Sequence, residues 1–112
     1  MSKYHPEFLT VTCLNWVPIL SAREHKEVVI DSLRFLVKKD RVKVLGFVIM
    51  DTHFHLIWQA MGDHRREDVQ RDFLKFTSQQ ILKNLRNNNS HLLDELLVEA
   101  KDQKYQVWER NS

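Results

Sequence analysis

The stretch "RVKVLGFVIMDTHFHLIWQA", residues 41–60, carries two largely apolar runs on either side of "DT", and how it folds back decides the architecture. Its first half alternates Lys43 with Val42 and Val44 and then turns wholly apolar, the pattern of a strand entering the middle of a sheet. Asp51 and Thr52 supply a tight turn. In the second half, side chains alternate across a strand, so His53, His55, Ile57 and Gln59 share one face while Phe54, Leu56, Trp58 and Ala60 share the other. The result is a hairpin with one apolar face and one face that sets two histidines side by side.

Upstream, "FLTVTCLNW" (8–16) is rich in β-branched and aromatic residues and alternates apolar Phe8 and Cys13 with Thr10 and Thr12, a strand ended by Pro18. Residues 21–39 open with Ser21 and place Glu24 three positions later, a capping box, and Val29, Leu33, Leu36 and Val37 recur at helical spacing. Downstream, residues 63–86 predict a second helix, capped by Asp63, with Val69, Phe73, Phe76, Ile81 and Leu85 inward, stopped by Asn87, Asn88 and Asn89. A short helix (90–100) and a last strand, "YQVWER" (105–110), complete the pattern. Strand, helix, hairpin, helix, strand is βαββαβ, which predicts an α+β sandwich of the ferredoxin-like type. In that arrangement an antiparallel sheet carries both main helices on one face and leaves the other open.

At 112 residues the chain fits one domain. With 43% hydrophobic and 29% charged residues, and only two glycines and two prolines, its composition argues against disorder. No apolar run approaches the roughly 20 residues of a membrane span, and "MSKYHPEF" lacks the apolar core of a signal peptide, so no membrane association and a cytoplasmic location are expected. A single cysteine, Cys13, excludes an internal disulfide and a cysteine-rich zinc site. The net charge of +2 decides nothing about nucleic acid; the placement of charge has to.

Neutral imidazole is the commonest ligand for divalent metals, and two at i and i+2 on a strand project to one face about 7 Å apart along the chain. That spacing permits His53 and His55 to chelate one ion, given a further donor from elsewhere. Ordinary surface or half-buried histidines satisfy the pattern equally, and the residues alone leave both readings open. His5, His25, His64 and His91 have no partner at ligand spacing and read as solvent-exposed.

The segment "VLGFVIMDTHFHLIWQA" resembles the motif-bearing hairpin of the HUH single-strand DNA transposases, the single-tyrosine insertion-sequence type, and most closely the REP-associated tyrosine transposases. The resemblance extends through "FLTVTCLNWVPIL", "HKEVVIDSLRFLVKKD", "QRDFLKFTSQQILKNL" and "KYQVWER", in the family's order. It implies that residues 1–112 are one HUH transposase-like domain in which His53 and His55 hold a divalent cation, magnesium or manganese. That cation would polarise a scissile phosphate for displacement by tyrosine, leaving a 5′-phosphotyrosine. It also implies single-stranded or hairpin DNA as substrate and a homodimer. The chain departs from the pattern in two places. Asp51 and Thr52 stand where the family has Pro-Asn, and the family's tyrosine helix, which follows the last strand, has no counterpart before Ser112. Of the two tyrosines, Tyr4 lies in the N-terminal segment, and Tyr105 is the remaining candidate nucleophile, a residue that equally serves as packing on the sheet.

Single strands are held by a basic track for phosphates and aromatic faces for bases. Arg71, Lys75, Gln79 and Lys83 fall four apart on the second helix, with Arg65 and Arg66 at its start, and Lys75 falls where the family has lysine. Interleaved Glu67, Asp68 and Asp72 allow a plain solvated face instead. Trp16, Trp58 and Trp108 are candidates for stacking or for the core. Three functions therefore compete: a DNA-cleaving transposase domain, a binding module on the same fold that does not cut, and a structural or dimeric interaction domain.

Overall fold

The alternation in residues 42–60 becomes an antiparallel hairpin in the computed structural model, which describes residues 5–100 and 103–110; Tyr4 lies outside them. Strand β2 (Val42–Ile49) pairs with β3 (His53–Ala60), and Met50 N–H donates to the His53 carbonyl at 2.8 Å across the Asp51 and Thr52 turn. The other side of β3 pairs antiparallel with β1 (Glu7–Thr12), so the sheet runs β1-β3-β2. This reverses one expectation: β2 is an edge strand, and β3 is the central one. A continuous apolar run reports that both faces of a strand are apolar, not how many strands flank it. Leu45, Phe47, Val48 and Met50 are accordingly 48–50% exposed.

Along β1, Leu9 and Val11 point into the core with the following Cys13, while Phe8, Thr10 and Thr12 point outward. Phe8 and Cys13, grouped above as one apolar set, sit an odd number of residues apart and so fall on opposite faces. The inward side of β3, Phe54, Leu56 and Trp58, is almost fully buried.

Helices α1 (Arg23–Lys38) and α2 (Arg66–Asn87) cover that side. The inward stripe of α2 is Val69, Phe73, Thr77, Ile81 and Leu85, a strict four-residue spacing that leaves Phe76 51% exposed, contrary to expectation; Val37 on α1 is likewise turned outward. The predicted caps also differ. Ser21 belongs to a 3-10 turn and donates its hydroxyl to the Pro18 carbonyl at 2.9 Å, so α1 starts from Ala22 without a side-chain cap. Asp63 lies two residues before Arg65, the residue that caps α2. The asparagine stop is as read: Asn88 caps α2, and Asn89 adopts φ 48°, which asparagine tolerates better than most residues.

His25, expected in solvent, is buried on the stripe it shares with Val29. Its Nδ1 lies 2.7 Å from the Ile19 carbonyl, which can only accept, so Nδ1–H donates there and Nε2 accepts from the Asn84 amide of α2 at 2.8 Å. The imidazole thereby ties the two helices together.

The expected short helix is a 3-10 turn (His91–Leu96) capped by Ser90, followed by β4 (Leu97–Ala100), which pairs with β5 (Gln103–Tyr105) in a separate two-stranded sheet. Local pairing wins because a helix as short as residues 90–100 is marginal by itself. The chain then returns beside β1: Leu14 N–H donates to the Val107 carbonyl and Glu109 N–H to the Thr12 carbonyl, both at 2.7 Å, and Trp108 bridges Cys13. The last strand is thus reduced to a bridge next to β1, which completes a ferredoxin-like βαββαβ order. Among the described residues, no helix is long and apolar enough to cross a membrane.

Candidate functional site

The face of the sheet that the helices leave open is centred on the central strand. His53 and His55 project from it with ring centroids 5.0 Å apart and planes at 75°. The β1–β3 register sets Thr10 opposite His55, and the Thr10 hydroxyl lies 3.0 Å from His55 Nδ1. Thr52, in the turn just before the strand, places its hydroxyl 3.1 Å from His53 Nδ1. Each Nδ1 thus has a hydroxyl partner, and where that hydroxyl accepts from Nδ1–H the Nε2 lone pair is directed outward. Orienting an imidazole in this way is how proteins prepare a metal-ligating histidine. The donor set fits a two-point hold on a divalent cation; among the described residues no group of three or more His, Cys, Asp or Glu gathers to complete a closed site. Asp51, the carboxylate of the adjoining turn, lies 3.7 Å from the Lys26 ammonium.

Two aromatic rings flank the pair. Phe8 stacks on His55 at 5.6 Å and 25°, and Trp16 meets His53 edge-on at 5.6 Å. They are 63% and 61% exposed. Trp16 follows β1 in an unusual backbone: Asn15 and Trp16 have φ of 52° and 58°. The left-handed region costs an L-residue roughly 1–2 kcal/mol, and tryptophan has no compensating local hydrogen bond from its side chain. The surroundings hold the strain in place. Asn15 N–H donates to Glu109 Oε1 at 2.7 Å, Trp16 N–H to the Cys13 carbonyl at 3.0 Å, and the flanking Leu14 and Val17 are buried.

The other tryptophans belong to the interior. Trp58 is in the core and donates to Glu7 Oε1, and Trp108 donates to the Thr77 hydroxyl at 3.1 Å. Phe8 was missed as a site residue, although its even spacing from Thr10 and Thr12 was the signal for its outward face. Cys13 is no nucleophile: burial pushes its thiol up to about 11 from 9.0.

The basic candidates lie on the opposite layer. α2 packs through Phe73 against Phe54 and Trp58, the side of β3 away from the histidines. Arg71 is paired with Asp68 and Asp72, Arg65 with Glu67, and Arg66 with Glu7 and Glu67. Those three arginines are largely answered by their own neighbours. Lys75 and Lys83 are exposed and make no ion pair among the described residues. Arg71 and Lys75 line a groove of about 630 Å³ with Ser78, Tyr105, Gln106 and Arg110. Tyr105 takes the Arg86 guanidinium over its ring at 5.4 Å. It is placed with α2, not beside His53 and His55.

No family model and no curated protein matches the sequence. Among solved structures, a crystal structure described as a candidate transposase from Deinococcus radiodurans superposes with a TM-score of 0.62 over 78% of this chain, at 14% identity. This chain covers 66% of that one, just under two thirds of its length. Such identity speaks to fold and not to chemistry. The chain therefore has a transposase-like, ferredoxin-like fold whose open face carries two oriented histidines between two exposed aromatic rings.

Proposed function

We propose that the protein is a transposase-like HUH domain that binds single-stranded or hairpin DNA on the open face of its sheet, with His53 and His55 holding a divalent cation, magnesium or manganese. The observation that carries this reading is the pair of imidazoles, each with Nδ1 met by a threonine hydroxyl, at the centre of the open face of a transposase-like fold. Bound there, the cation would supply Lewis-acid polarisation of a DNA phosphate. His53 and His55 would fix its position, and Thr10 and Thr52 would keep the rings turned outward. In the full reaction of such domains a tyrosine oxygen displaces the 3′ oxygen at phosphorus, and strands are rejoined by the reverse step. Lys75 and Lys83, with Arg65, Arg66 and Arg71, would take duplex or distal phosphates on the helix side.

A second reading, a nucleic-acid-binding module that does not cut, is favoured by the position of Tyr105 against Arg86 and the α2 groove. A homodimer through β2 belongs to both readings, since that strand is paired on one side only and presents exposed Leu45, Phe47 and Val48.

The deciding experiment incubates the protein with a labelled single-stranded hairpin and manganese, on a native gel for binding and a denaturing gel for a covalent adduct. A retarded native band is expected; an adduct selects the cleaving reading, and a band without adduct selects the binding module. His53→Ala together with His55→Ala should abolish manganese binding by calorimetry while the circular dichroism spectrum holds. Unchanged manganese binding in that double variant would sink the site assignment.

A further inference from the structure

We propose that Trp16 and Phe8 are stacking platforms for unpaired nucleobases on either side of the histidines. The inference rests on the DNA-binding reading above. Phe8, His55, His53 and Trp16 form a continuous series of rings with successive centroids 5.0–5.6 Å apart, so a phosphate at the centre has an aromatic face on each flank. Neither outer ring contributes to the core, being 63% and 61% exposed.

Trp16 is the more telling of the two. Its backbone lies at φ 58°, a conformation that glycine or asparagine would hold with less strain, and three hydrogen bonds across Cys13–Val17 and Glu109 keep it there. A bulky ring in a strained position, with no core packing in return, has its use in a ligand. The chemistry of that ligand follows from the face, which offers flat aromatic surface on both sides of the histidines; stacking is sequence-tolerant because every base has a π-face.

Intrinsic fluorescence tests this directly, because Trp58 and Trp108 are buried and Trp16 is the exposed tryptophan. A hairpin DNA with an unpaired tail should quench the emission, and the same hairpin with an abasic tail should not. Trp16→Ala and Phe8→Ala should each weaken binding by about 5- to 150-fold with little change in its salt dependence, and Trp16→Phe should retain most of the affinity. Trp16→Gly should lose binding without a lower melting temperature, which separates ligand use from folding. Tight binding by both alanine variants would overturn the platforms and leave the DNA-binding reading standing. Failure of the unaltered protein to bind the tailed hairpin would overturn both. Quenching that follows protein concentration without DNA would mean that a second copy covers the rings, and would also overturn the proposal.

Discussion

The two sides of β3 are built from alternate residues of one eight-residue strand and do opposite work. Inward, Phe54, Leu56 and Trp58 are 0–1% exposed, and edge-to-face contacts with Phe73 and Trp108 lock the two aromatic rings among them. Outward, His53 and His55 are half-buried, hydrogen-bonded to hydroxyls and bordered by exposed rings. The inner side is governed by packing, where any lost volume leaves a cavity. The outer side is governed by what approaches it from solution. A residue therefore has a stability role or a ligand role according to the parity of its position, and substitutions can test that division.

The sharpest break would come from neighbours one residue apart. Phe54→Ala should cost about 3–5 kcal/mol in a urea titration, because it empties a filled site, whereas His55→Ala should cost about 1 kcal/mol or less. Comparable losses in the two would dissolve the distinction. A smaller effect is expected at the polar link within the helix layer. His25→Phe leaves the Asn84 amide and Ile19 carbonyl without their partner and should destabilise by roughly 1–3 kcal/mol, with Asn84→Leu added on top recovering part of it.

Cys13 gives the inner side a pH signature. Its thiol is raised in the fold, so above pH 9.0 the unfolded chain loses the proton first. Stability should therefore be intact below that pH and fall by about 1 kcal/mol per pH unit up to about 11, an interval closed by the folded value. Cys13→Val should remove that slope relative to the unaltered protein in paired denaturation curves at pH 8 and 10.5. The smallest effect concerns the helix layer as a DNA contact. Lys75→Ala, which removes a cation with no ion pair among the described residues, should lower the salt dependence of DNA binding by about one unit of slope. Arg71→Ala should change it less, since Asp68 and Asp72 already answer that charge. Slopes unchanged from the unaltered protein in both variants would remove the helix layer from the interface.

Much of this was legible beforehand. The parity of His53 and His55 against Phe54, Leu56 and Trp58 placed the open face, and the stripe Val69, Phe73, Ile81 and Leu85 placed α2. The misreadings share a cause. Ser21 and Asp63 have the chemistry of caps, yet the Pro18 carbonyl captures the Ser21 hydroxyl, and α2 is capped by Arg65, two residues after Asp63. Phe76, expected inward, yields its place to Thr77, whose buried hydroxyl accepts from the Trp108 indole, a partner from another part of the chain.

By itself, then, the sequence determined what repeats locally: the period of each element, the face each side chain takes, the hairpin and the asparagine stop. Those depend on backbone geometry over a few residues. Tertiary structure alone decided that β2 is an edge, that two of three tryptophans are buried while Trp16 is held strained and exposed beside His53, and that the basic stripe lies on the layer away from the histidines. Each of these depends on neighbours contributed by distant segments, and no local periodicity encodes a neighbour that is far along the chain.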